Sequence, residues 1–279
     1  MKHFYPSLKA ISLWIIISVS LLTGTSTLAS EDSIKFYTAP THPKAITEDI
    51  YTPILSYLSK KTGKKIELMH TNSFLEYTLK MRKNAFDIAF DGPHFASWRI
   101  KKMGDTPLVR LQGQVQVLLA IPKSEEKFTE LSQLAGHKIC AFPSPNLLTM
   151  ALLNHFKNPM RQPILVNGKG FKGLQKCQKD NKGKAMVLRK QFWNKMDQSN
   201  YKLLLNDEKT FPERTFTVSS AIDNRTKQAI TSALLSPEAT PHLQRLLKTF
   251  KKKALIETNL NEYEGIYQLL APVWGFKID

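Results

Sequence analysis

The chain has 279 residues, 42% of them apolar, with a formal net charge of +17. That apolar share is typical of a globular protein and excludes an intrinsically disordered or low-complexity chain. The charge calls for anionic partners: an oxyanion, an anionic surface or nucleic acid.

The first 29 residues read as a leader. Lys2 and Lys9 supply a basic start, Ala10 to Leu22 an apolar run, and Thr27-Leu28-Ala29 a small-residue cleavage site. The expectation is export to the periplasm with a cut near Ala29, the alternative being an uncleaved membrane anchor; export excludes nucleic acid as the natural partner. No Cys follows the run, so no lipid anchor is expected. Removal of Lys2 and Lys9 with the leader lowers the charge from +17 to +15. The lysines are dispersed, as in "SKKTGKK" and "KTFKKK", which suits a solvated basic surface.

Strand-like and helix-like patterns then alternate. "IKFYTAP" reads as a strand; "ITEDIYTPILSYLSKKTG" is an amphipathic helix stopped by Gly63, with Pro53 as a point of bending. "KKIELMHT", "FLEYTLKMRKN", "AFDIAFDG" and "HFASWRIKKMG" continue the series, the last ended by Gly104. Such alternation is the signature of a mostly parallel sheet flanked by helices, with right-handed crossovers. "TPLVRLQGQVQVLLAIPK" is long enough for two strands or for one crossing between lobes. Beyond it the alternation restarts through "HKICAFP", "LLTMALLNHF", "PILVNG", "FKGLQKCQKDNKG", "KAMVLR" and "YKLLLND". "RTFTVSSAI" is extended again, and three helices are expected from "NRTKQAITSALLS", "PHLQRLLKTF" and "YEGIYQLLAPVWGF".

These patterns give an α/β chain of two lobes. The first lobe covers 30–118 and a return segment 217–279; the second covers 119–216. Val115–Ile121 and Phe211–Val218 serve as hinges. A cleft between lobes is a favoured ligand site and can close by hinge motion. Cys140 and Cys177, in an exported chain, are expected to form one disulfide, the alternative being two buried thiols.

The order of these elements, with "ILSYLSKKTGKKIEL", "FDIAFDGPHFASW", "LAGHKICAFPSPNLLTMALLNHF" and "FTVSSAIDNRTKQAITSALL", resembles the phosphate/phosphite/phosphonate-type substrate-binding proteins of ABC transporters, which are type II periplasmic binding proteins. The resemblance covers nearly all of the chain after the leader. It implies a monomeric, non-catalytic receptor without a cofactor, which holds a small anionic solute between two lobes and delivers it to a membrane permease and its ATPase. An exported sensory or interaction module of the same fold is the alternative.

In such a fold the ligand meets loops at the carboxyl ends of strands, often beside helix N-termini. Here those loops hold Thr41 and His42 in "APTHP", Asp91, Gly92, His94 and Phe95 in "DGPHF", and Ser144, Asn146 and Thr149 in "PSPNLLT". Phosphonate-binding relatives carry closely spaced hydroxyls and a glycine in the third loop. Thr149 keeps one hydroxyl, while Leu147 and Met150 replace another hydroxyl and the glycine.

Asp91 has two readings: a partner for a protonated or amine-bearing ligand, or the cap of the helix begun by Pro93. Arg189 and Arg110 end apolar strands and could clamp an oxyanion or form ion pairs. Relatives often place an acidic residue near "KAMVLR", and its absence suits an anionic ligand better than an amine. His42, His70 and His94 lack metal-ligand spacing, so no metal site is expected. No nucleophile motif, H-E-x-x-H or P-loop occurs, so no enzyme is expected.

Overall fold

Apart from Met1, the computed structural model describes residues 33–278; the expected leader and its cleavage point fall outside them. The first lobe opens with β1 (Ile34–Thr38), α1 (Lys44–Thr62), β2 (Ile66–Met69), α2 (Phe74–Arg82), β3 (Ile88–Asp91) and α3 (Pro93–Met103). β1 runs parallel to both β2 and β3. The helices stop where the sequence calls for it. Gly63 and Gly104 end α1 and α3 at φ of 67° and 73°, a left-handed backbone that glycine adopts without a Cβ clash. The Ser73 side chain caps α2 by accepting from the Glu76 N–H at 3.1 Å.

β4 (Thr106–Leu111) stays in this sheet, and β5 (Gln114–Pro122) enters a second one. There it is joined by β6 (Lys138–Ala141), α4 (Leu147–Leu153), β7 (Ile164–Asn167), α5 (Gly170–Lys179), β8 (Ala185–Arg189), α6 (Lys190–Trp193) and β9 (Tyr201–Pro212). The chain then returns to the first sheet as β10 (Thr215–Val218), α7 (Asn224–Leu235), α8 (Thr240–Phe250) and β11 (Leu255–Glu257). Strand order is β11-β4-β10-β3-β1-β2 in the first sheet and β7-β6-β8-β5-β9 in the second.

The chain therefore passes between lobes at Gln112–Gly113 and at Glu213–Arg214. The first boundary lies earlier than the one expected at 118/119. β5 pairs with β9 from Gln114 opposite Pro212 to Pro122 opposite Tyr201, so Val115–Ile121 is sheet interior and not a hinge. The second boundary also moves, because Thr215 and Phe216 already pair with β3. Apolar alternation looks the same in a connector and in a paired strand. Only the pairing tells them apart.

Both faces of each sheet are covered. In the first lobe, Ile50, Ile54 and Leu58 of α1 pack with Ile230 and Leu246 of α7 and α8 against Phe36, Phe90 and Phe216. On the other face Tyr77, Phe95 and Trp98 pack with Phe86 and Phe276. In the second lobe, Cys140 of β6 is bonded to Cys177 of α5 across a Cα–Cα distance of 6.0 Å, as expected.

The last expected helix is absent. Leu260–Tyr263 and Ile266–Leu270 are separate 3-10 turns, divided at Gly265, whose φ is 72°. This tail does not belong to the first lobe alone. Ser97 Oγ of α3 donates to the Tyr263 carbonyl at 2.6 Å and accepts from the Tyr267 N–H at 2.8 Å, whereas Ile266 and Leu269 lie in the second lobe's core. The tail thus straddles both lobes. Among the described residues, no helix is long and apolar enough to cross a membrane.

Candidate functional site

The carboxyl ends of β1, β2 and β3 bring the 39–43, 70–73 and 91–93 loops to one edge of the first sheet. Opposite them, the loop after β6 presents Pro143 to Asn146 from the second lobe. The lobes meet where His94 Nε2 lies 2.8 Å from the Pro145 carbonyl oxygen.

The expected residues separate into those already engaged and those still open to a ligand. Asp91 is fully buried and takes Arg99 bidentately, at 2.7 and 3.1 Å, together with the Tyr77 hydroxyl. Arg99 also reaches Asp105 at 3.1 Å and Thr217 at 2.6 Å. Asp91 therefore neither caps α3 nor faces the cleft; the α3 N-cap is Gly92, with no side-chain bond. The physical reason is the two-turn reach of α3, which carries Arg99 back over the end of β3. Burial raises the Tyr77 phenol well above its ordinary pKa, and the adjacent Asp91 carboxylate adds to the shift.

Phe95 is a core residue, in contact with Tyr77 and Phe276. Thr149 is fully buried and donates to the Phe142 carbonyl at 2.7 Å. The Asn146 side chain accepts from the Leu148 N–H at 3.0 Å and so caps α4. Ser144 is exposed, with Oγ 3.4 Å from Met150 Sδ. Thr41 is exposed and His42 half-buried.

The strand-end arginines form ion pairs. Arg189 holds Glu213 at 2.9 and 3.1 Å, and Lys252 binds the same carboxylate. Arg110 pairs with Glu262 at 2.7 Å and donates to the Gly113 carbonyl at 3.0 Å. Both arginines thus brace the inter-lobe crossings. His42, His70 and His94 do not gather, and no metal-holding group of His, Cys, Asp or Glu occurs among the described residues.

Arg214 was not among the sequence candidates. β10 runs antiparallel to β3, with Thr215 opposite Asp91 and Phe216 opposite Phe90. The next step along that ladder sets Arg214 beside Gly92, at the same edge as the ends of β1 and β3. Facing residues of an antiparallel pair project to the same side. Arg214 accordingly shares a face with Phe90 and Phe216, whose rings are 4.4 Å apart. Its guanidinium lies 5.0 Å over the Phe250 ring, and the His42 ring is 6.1 Å from Phe250, edge to face. Arg214 Nη1 is buried without a partner. Burial lowers the His42 pKa, and the Arg214 charge lowers it further. Sequence reasoning looked for cations where strands end. Here the antiparallel strand begins at the cleft edge, a feature that only its direction reveals.

Beside His42 a pocket of about 190 Å³ opens between the β1 and β2 loops, lined by Thr38, Lys44, Thr47, His70 and Thr71 among others. Thr71 Oγ1 is another buried atom without a partner. The nearby Glu48 is 3.2 Å from His70 and 3.9 Å from Lys44. This edge of the first lobe is thus rich in hydroxyls and cations and carries a guanidinium with one buried nitrogen lacking a partner.

The family model described as "ABC transporter, phosphonate, periplasmic substrate-binding protein" matches residues 36–263. No curated protein sequence matches. Among solved structures, XAC2383 from Xanthomonas citri bound to ATP aligns with a TM-score of 0.67 at 14% identity, over 86% of this chain and 96% of that one. PhnD1 from Prochlorococcus marinus in complex with methylphosphonate aligns at 0.62 and 14%, over 85% and 97%. A binding-protein component of a phosphonate ABC transporter from Pseudomonas aeruginosa aligns at 0.60 and 12%, over 85% of each chain. At these identities the structural matches speak for the two-lobed type II fold.

Proposed function

Because the chain belongs to the periplasmic substrate-binding proteins of phosphonate ABC transporters, we propose that Arg214 anchors its small anionic solute at the cleft edge of the first lobe. As a member of that family it is a binding protein and not an enzyme. His42 and Thr71 flank the anion, and the 190 Å³ pocket takes its substituent. The observation that carries this reading is the buried, unpartnered Nη1 of Arg214. A desolvated guanidinium donor without an acceptor is costly to leave unmade and gains a charge-assisted bond from an oxyanion. The ligand class is a phosphate- or phosphonate-like oxyanion, in keeping with the cationic surroundings and the family. The protein acts as a monomer, exported by cleavage near Ala29, and hands its solute to the permease and ATPase that family membership implies.

Thermal unfolding with inorganic phosphate and with methylphosphonate tests this. A ligand at a hundred times its Kd stabilises by about 2.7 kcal/mol, a rise of roughly 5–10 °C for a chain of this size. Arg214→Gln should abolish the rise. A rise unchanged in Arg214→Gln removes Arg214 from the site. No rise with either anion at millimolar concentration refutes oxyanion capture.

A further inference from the structure

A carbonyl oxygen only accepts hydrogen bonds, so His94 Nε2, 2.8 Å from the Pro145 carbonyl, must carry the proton and donate it. In a neutral ring Nδ1 is then a bare acceptor. Burial keeps the ring neutral, pushing its pKa down to about 4; the Pro145 contact and Asp91 oppose the shift, while Arg214 and Arg99 add to it. His94 is 3% exposed, and its Nδ1 is buried without a partner.

That nitrogen has a defined place. A Cβ built on Gly92 would sit 2.9 Å from His94 Nδ1, so the ring lies against the side of Gly92 where a side chain would project. Arg214 is the next residue across the ladder from Gly92 and projects to that same side. An acceptor lacking a donor and a cationic donor lacking an acceptor therefore lie on the same side at the end of β3, near enough for the Arg214 charge to act on the His94 ring. The carboxylates nearby are committed elsewhere: Asp91 to Arg99 and Tyr77, and Glu213 to Arg189 and Lys252.

We propose that His94 is a specificity-determining residue that selects a tetrahedral oxyanion still bearing one hydroxyl, a hydrogen phosphate or hydrogen phosphonate, over fully ionised sulfate. The ligand hydroxyl donates to Nδ1 while ionised oxygens accept from Arg214. This rests on the capture reading above. Sulfate brings only lone pairs to Nδ1 and leaves that acceptor facing negative charge. A site built around a buried hydrogen bond rejects the analogue that cannot make it, here by on the order of a hundredfold.

Isothermal titration of the purified protein at neutral pH with inorganic phosphate, methylphosphonate and sulfate, at matched ionic strength, tests this. Phosphate or methylphosphonate should bind and sulfate should bind about a hundredfold more weakly. His94→Leu should bring the phosphate and sulfate affinities together, whereas Arg214→Gln should weaken every anion. In the unmodified protein, methylphosphonate affinity should fall as pH rises through its second ionisation, a readout that stands even if His94→Leu does not fold. Sulfate binding as tightly as phosphate overturns the proposal, as does an unchanged ratio in a folded His94→Leu or an affinity that holds as the hydroxyl ionises. Absence of binding by all three anions refutes the capture reading and this inference with it.

Discussion

Replacing Arg99 by Leu isolates what the buried charge cluster does. Arg99 is 1% exposed and donates to both oxygens of Asp91, to Asp105 and to Thr217. Arg99→Leu leaves the Asp91 carboxylate fully buried, with only the Tyr77 hydroxyl as a partner. Removing one member of a buried pair costs about 3–5 kcal/mol, chiefly because the other charge is left uncompensated. At roughly 2–4 °C per kcal/mol, melting followed by circular dichroism should fall by about 10 °C. Adding Asp91→Leu to Arg99→Leu should recover only part of that loss, since the buried Asp105 also loses its Arg99 partner. The folded Asp91→Asn protein should keep its anion affinity within about twofold, because both Asp91 oxygens are already taken by Arg99 and Tyr77. A loss below about 1 kcal/mol in Arg99→Leu would refute the view that this pair is desolvated and mutually dependent.

The folded pKa of His94 is lowered from 6.5 to about 4, so the stability it contributes is complete above pH 6.5 and is lost as pH falls through that window. His94→Leu should flatten the acid limb of the ligand-free stability curve by up to about 3 kcal/mol, measured by urea unfolding from pH 7 to 4; an equally steep limb would show that His94 takes up its proton without opening the fold. The Cys140–Cys177 bridge closes a 37-residue separation, and Cys140→Ser with Cys177→Ser should cost about 4 kcal/mol in the chain-entropy account, with less than 1 kcal/mol ruling that account out.

Local pattern carried much of this architecture. The Ile50, Ile54 and Leu58 stripe, the stop at Gly63 and the strand of "FDIAF" are read from side-chain period and backbone permissiveness, which act within a few residues. The two cysteines were paired by compartment and number alone. The tail misled for the same reason: "YEGIYQLL" has helical spacing, but Gly265 adopts a left-handed backbone and Ile266 and Leu269 turn towards the other lobe.

The sequence by itself determined the alternation of elements and the loops that reach the cleft edge, because these rest on short-range periodicity; it offered a disulfide beside two buried thiols, and the fold decided for the bond. Tertiary structure decided the role of each charge. Asp91 looked like a cap or a ligand contact until Arg99 and Tyr77 closed over it, and Arg189 could be a clamp or an ion-pair partner until Glu213 met it from the crossing. Arg214 is marked by no local pattern; antiparallel pairing carries the start of β10 to the end of β3. A charge acquires its function from the partner it finds or lacks after burial, and those partners lie up to 152 residues away along the chain.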